Sequence, residues 1–168
     1  MAIRSVVKRG DSRLQQICSQ IVDFKATASV IRDLRDTIGH IETLYDFTRG
    51  SGIAAPQIGE SLAVNVLAFE GKEYVICNPR IVAHSDEMIE VSEGCLSFFD
   101  VRGKVPRWAS IKVEAENEHG VTYIIEADNP NFVSLLQHEI DHLAGRLYVD
   151  RLPAGTELIP KPGVPAIP

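Results

Sequence analysis

The 168-residue sequence has little cysteine, no long apolar run and a deficit of positive charge. Its three cysteines cannot close a complete set of disulfides, so at least one thiol stays free. No stretch is long enough to span a bilayer, and residues 1–8 lack the apolar core of an export signal. These absences predict a cytoplasmic protein with no membrane partner, in a reducing compartment where a cysteine is more often catalytic or metal-bound than bridged.

The charge balance argues against a nucleic-acid partner. Lys and Arg number 17 against 23 Asp and Glu, which gives a net charge of −6. Stable nucleic-acid binding needs clustered positive charge, so we expect none. The hydrophobic fraction of 45% is ordinary for a globular domain. We expect one domain over residues 1–152, followed by an extended proline-rich tail over residues 153–168.

The hydrophobic periodicity predicts an α+β fold, in which antiparallel β-sheets pack around a C-terminal helix and helices precede the sheets. Apolar residues three and four apart indicate a short amphipathic helix after Asp11, reaching Ile21, and longer helices over residues 29–47 and 131–143. The predicted strands cover residues 62–69, 74–77, 80–83, 88–91, 111–116 and 121–127.

The strongest chemical signal is the pair His138 and His142 with Glu139 between them, which has the HExxH spacing. Four residues advance an α-helix by about 400°, so the two histidines lie on one face and can bind one metal ion. The plain alternative is an amphipathic helix with two incidental histidines. Histidines on an apolar helix face need partners when buried, which favours the metal site.

A third metal ligand has to come from elsewhere, because catalytic sites usually have three protein ligands. The chain after His142 contains no histidine and one glutamate, Glu157, in the proline-rich tail. Upstream, Cys95 follows a glycine at the end of a predicted strand and is the best candidate. Cys18 and Cys77 are predicted to be buried apolar core residues.

A glycine-rich stretch over residues 50–59 follows the second predicted helix. Small residues allow close backbone approach to a substrate, and the amide of Gln57 could stabilise an oxyanion. A helix stop followed by an ordinary loop explains the composition equally well. The stretch lacks the lysine of a phosphate-binding loop, so a nucleotide role is not supported.

Three segments together resemble the motifs of the peptide deformylase family, in the family's order and at similar spacing. They are GSGIAAPQ at residues 50–57, EGCLS at residues 93–97 and QHEIDH at residues 137–142. The resemblance extends from residue 2 to about residue 150. It implies a cytoplasmic metalloenzyme that removes the N-formyl group from the N-terminal methionine of newly made polypeptides and releases formate.

The resemblance also implies roles for individual residues. Cys95, His138 and His142 would bind one divalent metal ion, usually ferrous iron in the family, although zinc, nickel or cobalt can take the site. Glu139 would be the general base, and the side chain of Gln57 would stabilise the oxyanion together with the backbone N–H of Leu96.

Substrate contacts are expected from Ser51, Gly52 and Glu93, and supporting roles from Asp141 and Arg102. The implied partners are a formylated peptide or nascent-chain N-terminus and, transiently, the ribosome.

Two alternatives remain open at this point. Ser51 stands where the family usually has an apolar residue, and residues 131–136 lack the family's usual glycine, which suggests a deformylase-like amidohydrolase acting on another formylated or acylated amine. The second alternative is a metal-stabilised scaffold or peptide-binding module without turnover, for which a fourth protein ligand would be expected.

Overall fold

The computed structural model describes residues 2–161, which contain two α-helices and eight β-strands. The helices are α1 (Phe24–Leu44) and α2 (Pro130–Leu143). The strands are β1 (Ser51–Ala54), β2 (Val64–Phe69), β3 (Lys72–His84), β4 (Met88–Cys95), β5 (Phe98–Trp108), β6 (Ile111–Glu116), β7 (Thr122–Ala127) and β8 (Ile159–Pro160). Short 3-10 helices occupy Ser12–Gln15, Ala55–Ile58 and Tyr148–Arg151.

The strands form two sheets in which every strand pairing is antiparallel. One sheet has five strands in the order β1-β2-β3-β6-β7, and the other has three in the order β4-β5-β8. This architecture confirms the predicted α+β fold with antiparallel sheets and a C-terminal helix. Within residues 2–161, neither helix is both long and apolar enough to cross a membrane.

The two α-helices cover opposite faces of the five-stranded sheet. Val66 of β2 packs in one core cluster with Leu34 of α1, whereas the next residue, Leu67, packs in another cluster with Leu136 of α2. Successive side chains of a strand point to opposite faces. Both faces of β2 are covered, which explains why its sequence is almost continuously apolar.

Helix α1 confirms the second predicted helix but begins and ends earlier than residues 29–47. The carboxylate of Asp23 accepts hydrogen bonds from the backbone N–H groups of Lys25 and Ala26, both at 3.0 Å. Such a cap satisfies N–H groups that have no partner within the helix. The periodic apolar residues begin only at Val30, so spacing alone misses the capped first turn.

The predicted amphipathic helix after Asp11 is wrong. Asp11 does cap a helix, accepting from the backbone N–H of Arg13, but only the 3-10 turn Ser12–Gln15 follows. Ile17, expected on the apolar face, is 80% exposed. The chain instead becomes extended, and the backbone N–H of Cys18 donates to the carbonyl of Leu143 at the end of α2.

The predicted strands are present, although two of them are one continuous element. Residues 74–77 and 80–83 both belong to β3, whose register with β6 shifts between Cys77 and Arg80. Asn78 adopts a positive φ of 48° at this irregularity, and its side chain bonds the backbone of Ile21 on both the donor and acceptor sides. Asn78 therefore marks an irregularity within β3 and not the end of a strand.

Strands β1 and β5 were not predicted. The glycine-rich stretch gives a strand at β1, which pairs with β2 along all four of its residues. Strand β5 contains Gly103 and Pro106, residue types that are rare inside strands, so local composition conceals it. In the proline-rich tail, β8 pairs with β5 at Val101 and Arg102. The remaining tail, residues 162–168, lies outside the described residues.

Candidate active site

Cys95 is the last residue of β4, next to the tight connection to β5. The register of these strands shifts between Glu93 and Cys95, so the ladder is interrupted where the cysteine leaves β4. Irregularities of this kind bend a strand and redirect its side chains. Cys95 then pairs with Phe98 across a tight connection, and its side chain is buried.

Helix α2 presents the two histidines. Asn129 caps its first turn, accepting from the backbone N–H groups of Asn131 and Phe132, and Pro130 occupies the first turn, where no N–H is needed. The His138 and His142 rings lie on one face with centroids 4.9 Å apart. The fold thus confirms that residues 138–142 belong to a helix.

The sulfur of Cys95 and one nitrogen from each of His138 and His142 lie within 4.8 Å of one another, and all three residues are buried. The Sγ of Cys95 is 3.3 Å from Nε2 of His142. A tetrahedral metal with ordinary Zn–S and Zn–N bond lengths would separate these two donors by about 3.6 Å. Burial holds the pKa of His142 well below its usual value, so its imidazole is neutral and can ligate. The donor set therefore fits one divalent metal.

Glu93 lies behind His138 and fixes its ring. Oε2 of Glu93 is 2.9 Å from Nδ1 of His138, which leaves Nε2 of the ring to face Cys95. Arg107 donates to both oxygens of the same carboxylate, at 2.7 and 2.9 Å, and the hydroxyl of Ser134 donates at 2.7 Å. Burial alone would raise the pKa of Glu93, but the bonds from Arg107 and His138 outweigh it and lower the pKa to about 2.

A second buried carboxylate extends this network. Asp141 accepts from Arg107 at 2.6 Å and from two nitrogens of Arg151. Arg107 is 1% exposed, and its charge is balanced by Glu93 and Asp141. Sequence reasoning placed Asp141 in a supporting role but missed Arg107, Ser134 and Arg151. Arg107 could have been found from the alternation of buried residues along β5. That alternation can be used only once β5 has been recognised as a strand.

Glu139 points toward β1. Its side chain is buried, and its Oε2 has no hydrogen-bond partner within residues 2–161. Burial raises the pKa of Glu139 to about 7. A Cβ placed on Gly52 would lie 2.6 Å from Oε1 of Glu139, so glycine is required for this close approach.

A hydrogen bond from a nearby backbone N–H group orients the side chain of Gln57. Its Oε1 accepts from the backbone N–H of Ala54 at 2.9 Å, which turns the Nε2 donor toward Cys95 and Ser97. The Nε2 lies 3.6 Å from Sγ of Cys95 and 3.3 Å from Oγ of Ser97. An uncharged donor is thus fixed beside the candidate metal ligands.

These groups lie along one open cavity of about 500 Å³, within the size range of ligand-binding pockets. Its wall includes all but one of the predicted site residues: Ser51, Gly52, Gln57, Glu93, Cys95, Leu96, His138 and Glu139. His142 is 1% exposed and is not part of the wall. Ser51 donates its hydroxyl to Glu42 of α1, so this polar group already has a partner.

Outside the cavity, Cys18 and Cys77 are buried as predicted. Burial is the main cause that raises the pKa of their thiols, to about 11 and about 12 respectively. Both are therefore protonated at neutral pH, whereas Cys95 is the thiol that belongs to the candidate metal site.

A buried Cys-His-His donor set with an adjacent carboxylate, lying along an open cavity in an α+β fold, defines the class of metal-dependent hydrolases. Comparison with known proteins narrows the class. The sequence profile of the family described as polypeptide deformylase matches residues 3–157. The chain belongs to this family.

Individual relatives agree with the family assignment. The chain is 36% identical over 163 residues to peptide deformylase 2 of Clostridium perfringens, covering 96% of this chain and 100% of that protein. It is 39% identical over 151 residues to the peptide deformylase of Desulfitobacterium hafniense, covering 90% and 95% of the two chains.

Solved structures of peptide deformylases also have a similar fold. The peptide deformylase of Thermotoga maritima superposes with a TM-score of 0.83 at 28% identity, covering 91% of this chain and 99% of that one. The peptide deformylase of Legionella pneumophila gives a TM-score of 0.81 at 35% identity, covering 91% and 88%.

Proposed function

We propose that this chain removes the N-formyl group from peptides that begin with formyl-methionine and releases formate. Cys95, His138 and His142 would hold one divalent metal ion, with ferrous iron the physiological ion and zinc, nickel or cobalt able to replace it. The observation that carries the proposal is the position of Glu139, whose unpartnered carboxylate lies beside these three donors on the wall of one cavity.

The metal, when bound, would supply a water activated for attack and an electrophile for the formyl oxygen. Glu139 then acts as the general base and acid. A carboxyl group with a pKa near neutrality both accepts a proton from water and returns it to the leaving amine efficiently at physiological pH. Gly52 keeps the space that this carboxylate occupies.

The negative charge that develops on the formyl oxygen, when the formyl carbon is attacked, needs donors fixed in advance. Gln57 supplies one, because the bond from the Ala54 N–H holds its Nε2 toward Cys95. The backbone N–H of Leu96, next to Cys95 in the tight connection, supplies the other. Neither donor is charged, so both can be buried without a compensating ion.

Glu93 receives a different role from the one the sequence suggested. It lines the cavity, but both of its oxygens bond Arg107, and the carboxylate also contacts Ser134 and His138. We infer that Glu93 orients His138 as a ligand and does not bind substrate. Such outer partners fix the ring and raise its basicity.

The substrate is inferred to be the N-terminus of a nascent chain, which places the reaction in the cytoplasm and near the ribosome. The alternative of another formylated or acylated amine rests on Ser51 and on residues 131–136. Because Glu42 already accepts the hydroxyl of Ser51, that hydroxyl gives no reason to prefer a polar side chain in place of methionine.

The test is formate release from a formyl-methionyl peptide by protein reconstituted anaerobically with ferrous iron, with metal content measured on the same sample. We expect turnover by the wild-type chain. Glu139→Gln should retain the metal and lose about 10²-fold or more of the rate. Full activity in that variant would overturn the proposed mechanism. Equal hydrolysis of formyl-methionyl and formyl-seryl peptides would overturn the proposed preference for formyl-methionine.

A further inference from the structure

Three basic side chains line the cavity that contains the candidate metal ligands, although the protein as a whole is acidic. Arg49, Arg102 and Lys161 all line it, and we call these three residues the cationic rim. The chain as a whole carries a net charge of −6. These cations are therefore grouped where a substrate has to pass.

The cationic rim has no carboxylate counterion in the part of the chain that the structure describes. Within residues 2–161, no carboxylate forms a hydrogen bond or salt bridge with Arg49, Arg102 or Lys161. Other arginines of the chain do have carboxylate partners, as Arg35 does with Glu118 at 2.7 Å. The cations of the rim are thus available to a ligand.

The acidic residues of the same cavity do not cancel this charge. Glu93 is paired with Arg107, and Glu139 is only 3% exposed and lies against Gly52, beside the metal ligands. Asp46 is the remaining carboxylate among the residues of the cavity wall. Three cations against one exposed carboxylate leave the mouth of the cavity positive.

Contacts within the fold place Arg102 next to the reacting end. A Cβ built on Gly94 would lie 3.5 Å from Cγ and 3.8 Å from Nε of Arg102. The arginine stem therefore runs along the backbone immediately before Cys95.

Lys161 is held on the same side by an aromatic surface. Its Nζ lies 4.3 Å above the ring of Phe99, which in turn packs against Tyr45 and Phe47. Its backbone N–H donates to the carbonyl of Asp100 at 2.7 Å. Burial first, and the charge of Arg102 second, lower the pKa of Lys161, which indicates that the two cations are close enough to repel. An anion between them would relieve that repulsion.

The orientation of the bound peptide follows from where its formyl group has to react. The formyl group has to reach Glu139 and the three metal ligands, so the residues after the formylated methionine extend toward the mouth of the cavity. We infer that the cationic rim selects formylated peptides with an acidic side chain at the second or third position. This inference rests on the proposed function and adds a specificity to it.

The experiment compares kcat/KM for matched peptide amides on the metal-loaded protein. Formyl-Met-Asp-Ala-amide is compared with formyl-Met-Asn-Ala-amide, and formyl-Met-Ala-Asp-amide with formyl-Met-Ala-Asn-amide. Amidation removes the terminal carboxylate, and Asp and Asn differ in charge but hardly in shape. We expect an Asp-to-Asn ratio of about three to ten in at least one pair, as for partly exposed ion pairs. The ratio should fall at about 0.5 M salt because the charges are screened.

Substitutions then assign the preference to the rim. Arg49→Gln, Arg102→Gln and Lys161→Gln each remove one charge, and the triple variant should bring the ratio to about one. Arg80→Gln is the matched control, because Arg80 is an exposed arginine of β3 outside the cavity, and its ratio should stay at the wild-type value.

Three results would contradict the proposal in different ways. Equal kcat/KM for Asp and Asn peptides in both pairs, with both hydrolysed, overturns the acidic preference and leaves the deformylase function intact. A preference that persists in the triple variant overturns the assignment to the cationic rim. No formate from any of the four peptides overturns the proposed function itself.

Discussion

Oε2 of Glu93 lies 2.9 Å from Nδ1 of His138, and Arg107 holds the same carboxylate at 2.7 and 2.9 Å. The strand that ends at Cys95 thus also supplies the group that orients the first histidine of α2. Two parts of the chain that are distant in sequence, β4 and α2, are thus joined at the site by one buried hydrogen bond.

Glu93→Gln should weaken metal binding about 10- to 100-fold, because the histidine loses the carboxylate that fixes its ring and raises its basicity. Metal affinity can be measured by competition with a chelator on protein of known metal content. Glu90→Gln is the matched control, since Glu90 lies on the same strand with its side chain 60% exposed and pairs only with Lys104 among the described residues. Equal metal affinity in Glu93→Gln and wild type would contradict the positioning role.

Gly52→Ala should lower formate release by at least about tenfold while leaving the metal bound. The added methyl group would lie 2.6 Å from Oε1 of Glu139 and would displace the carboxylate that moves the proton. Activity and metal content measured together separate this effect from loss of the ion.

The matched control for Gly52→Ala is Gly39→Ala. Gly39 lies inside α1, and a methyl group added there would meet no atom of the surrounding fold within 4 Å. Alanine there should leave activity unchanged and raise the free energy of unfolding by about 0.5–1 kcal/mol, because glycine is the poorer helix former. Wild-type turnover by Gly52→Ala would show that the close contact with Glu139 is dispensable.

Gln57→Leu should reduce kcat about 10²- to 10³-fold and change KM little, since an oxyanion donor acts mainly in the transition state. Leucine is similar in size and removes the Nε2 donor that faces Cys95. Steady-state kinetics on a formyl-methionyl peptide give both constants. A rise in KM with an unchanged kcat would instead assign Gln57 to ground-state binding.

Cys18 and Cys77 should resist alkylation in the folded protein at about pH 8. Burial raises the pKa of these thiols to about 11 and about 12, so almost no thiolate is present at that pH. Mass spectrometry after treatment of the native metal-free protein with iodoacetamide should find label at Cys95 before either of them. Rapid label at Cys77 would contradict its assignment to the core. Unfolded protein, in which all three thiols react, is the control.

The predictions from sequence are correct where they depend only on residues within one helix. The spacing of His138 and His142 is a property of one helix, and a period of about 3.6 residues is enough to place both on one face. The same reasoning failed after Asp11, because the residues that would have continued a helix there instead bond the end of α2 and pair Ser19 with Leu62. A tertiary partner outweighed a weak local preference.

The sequence by itself determined the residue types that the chemistry needs: a thiol, two histidines, a carboxylate and an amide in three motifs. Tertiary structure decided how they act. The closeness of Cys95 to His142, the burial of Arg107 between Glu93 and Asp141, and the contact of Gly52 with Glu139 all join residues far apart in the chain. Periodicity reports only which face of one element a residue occupies, whereas these contacts depend on how strands and helices pack together.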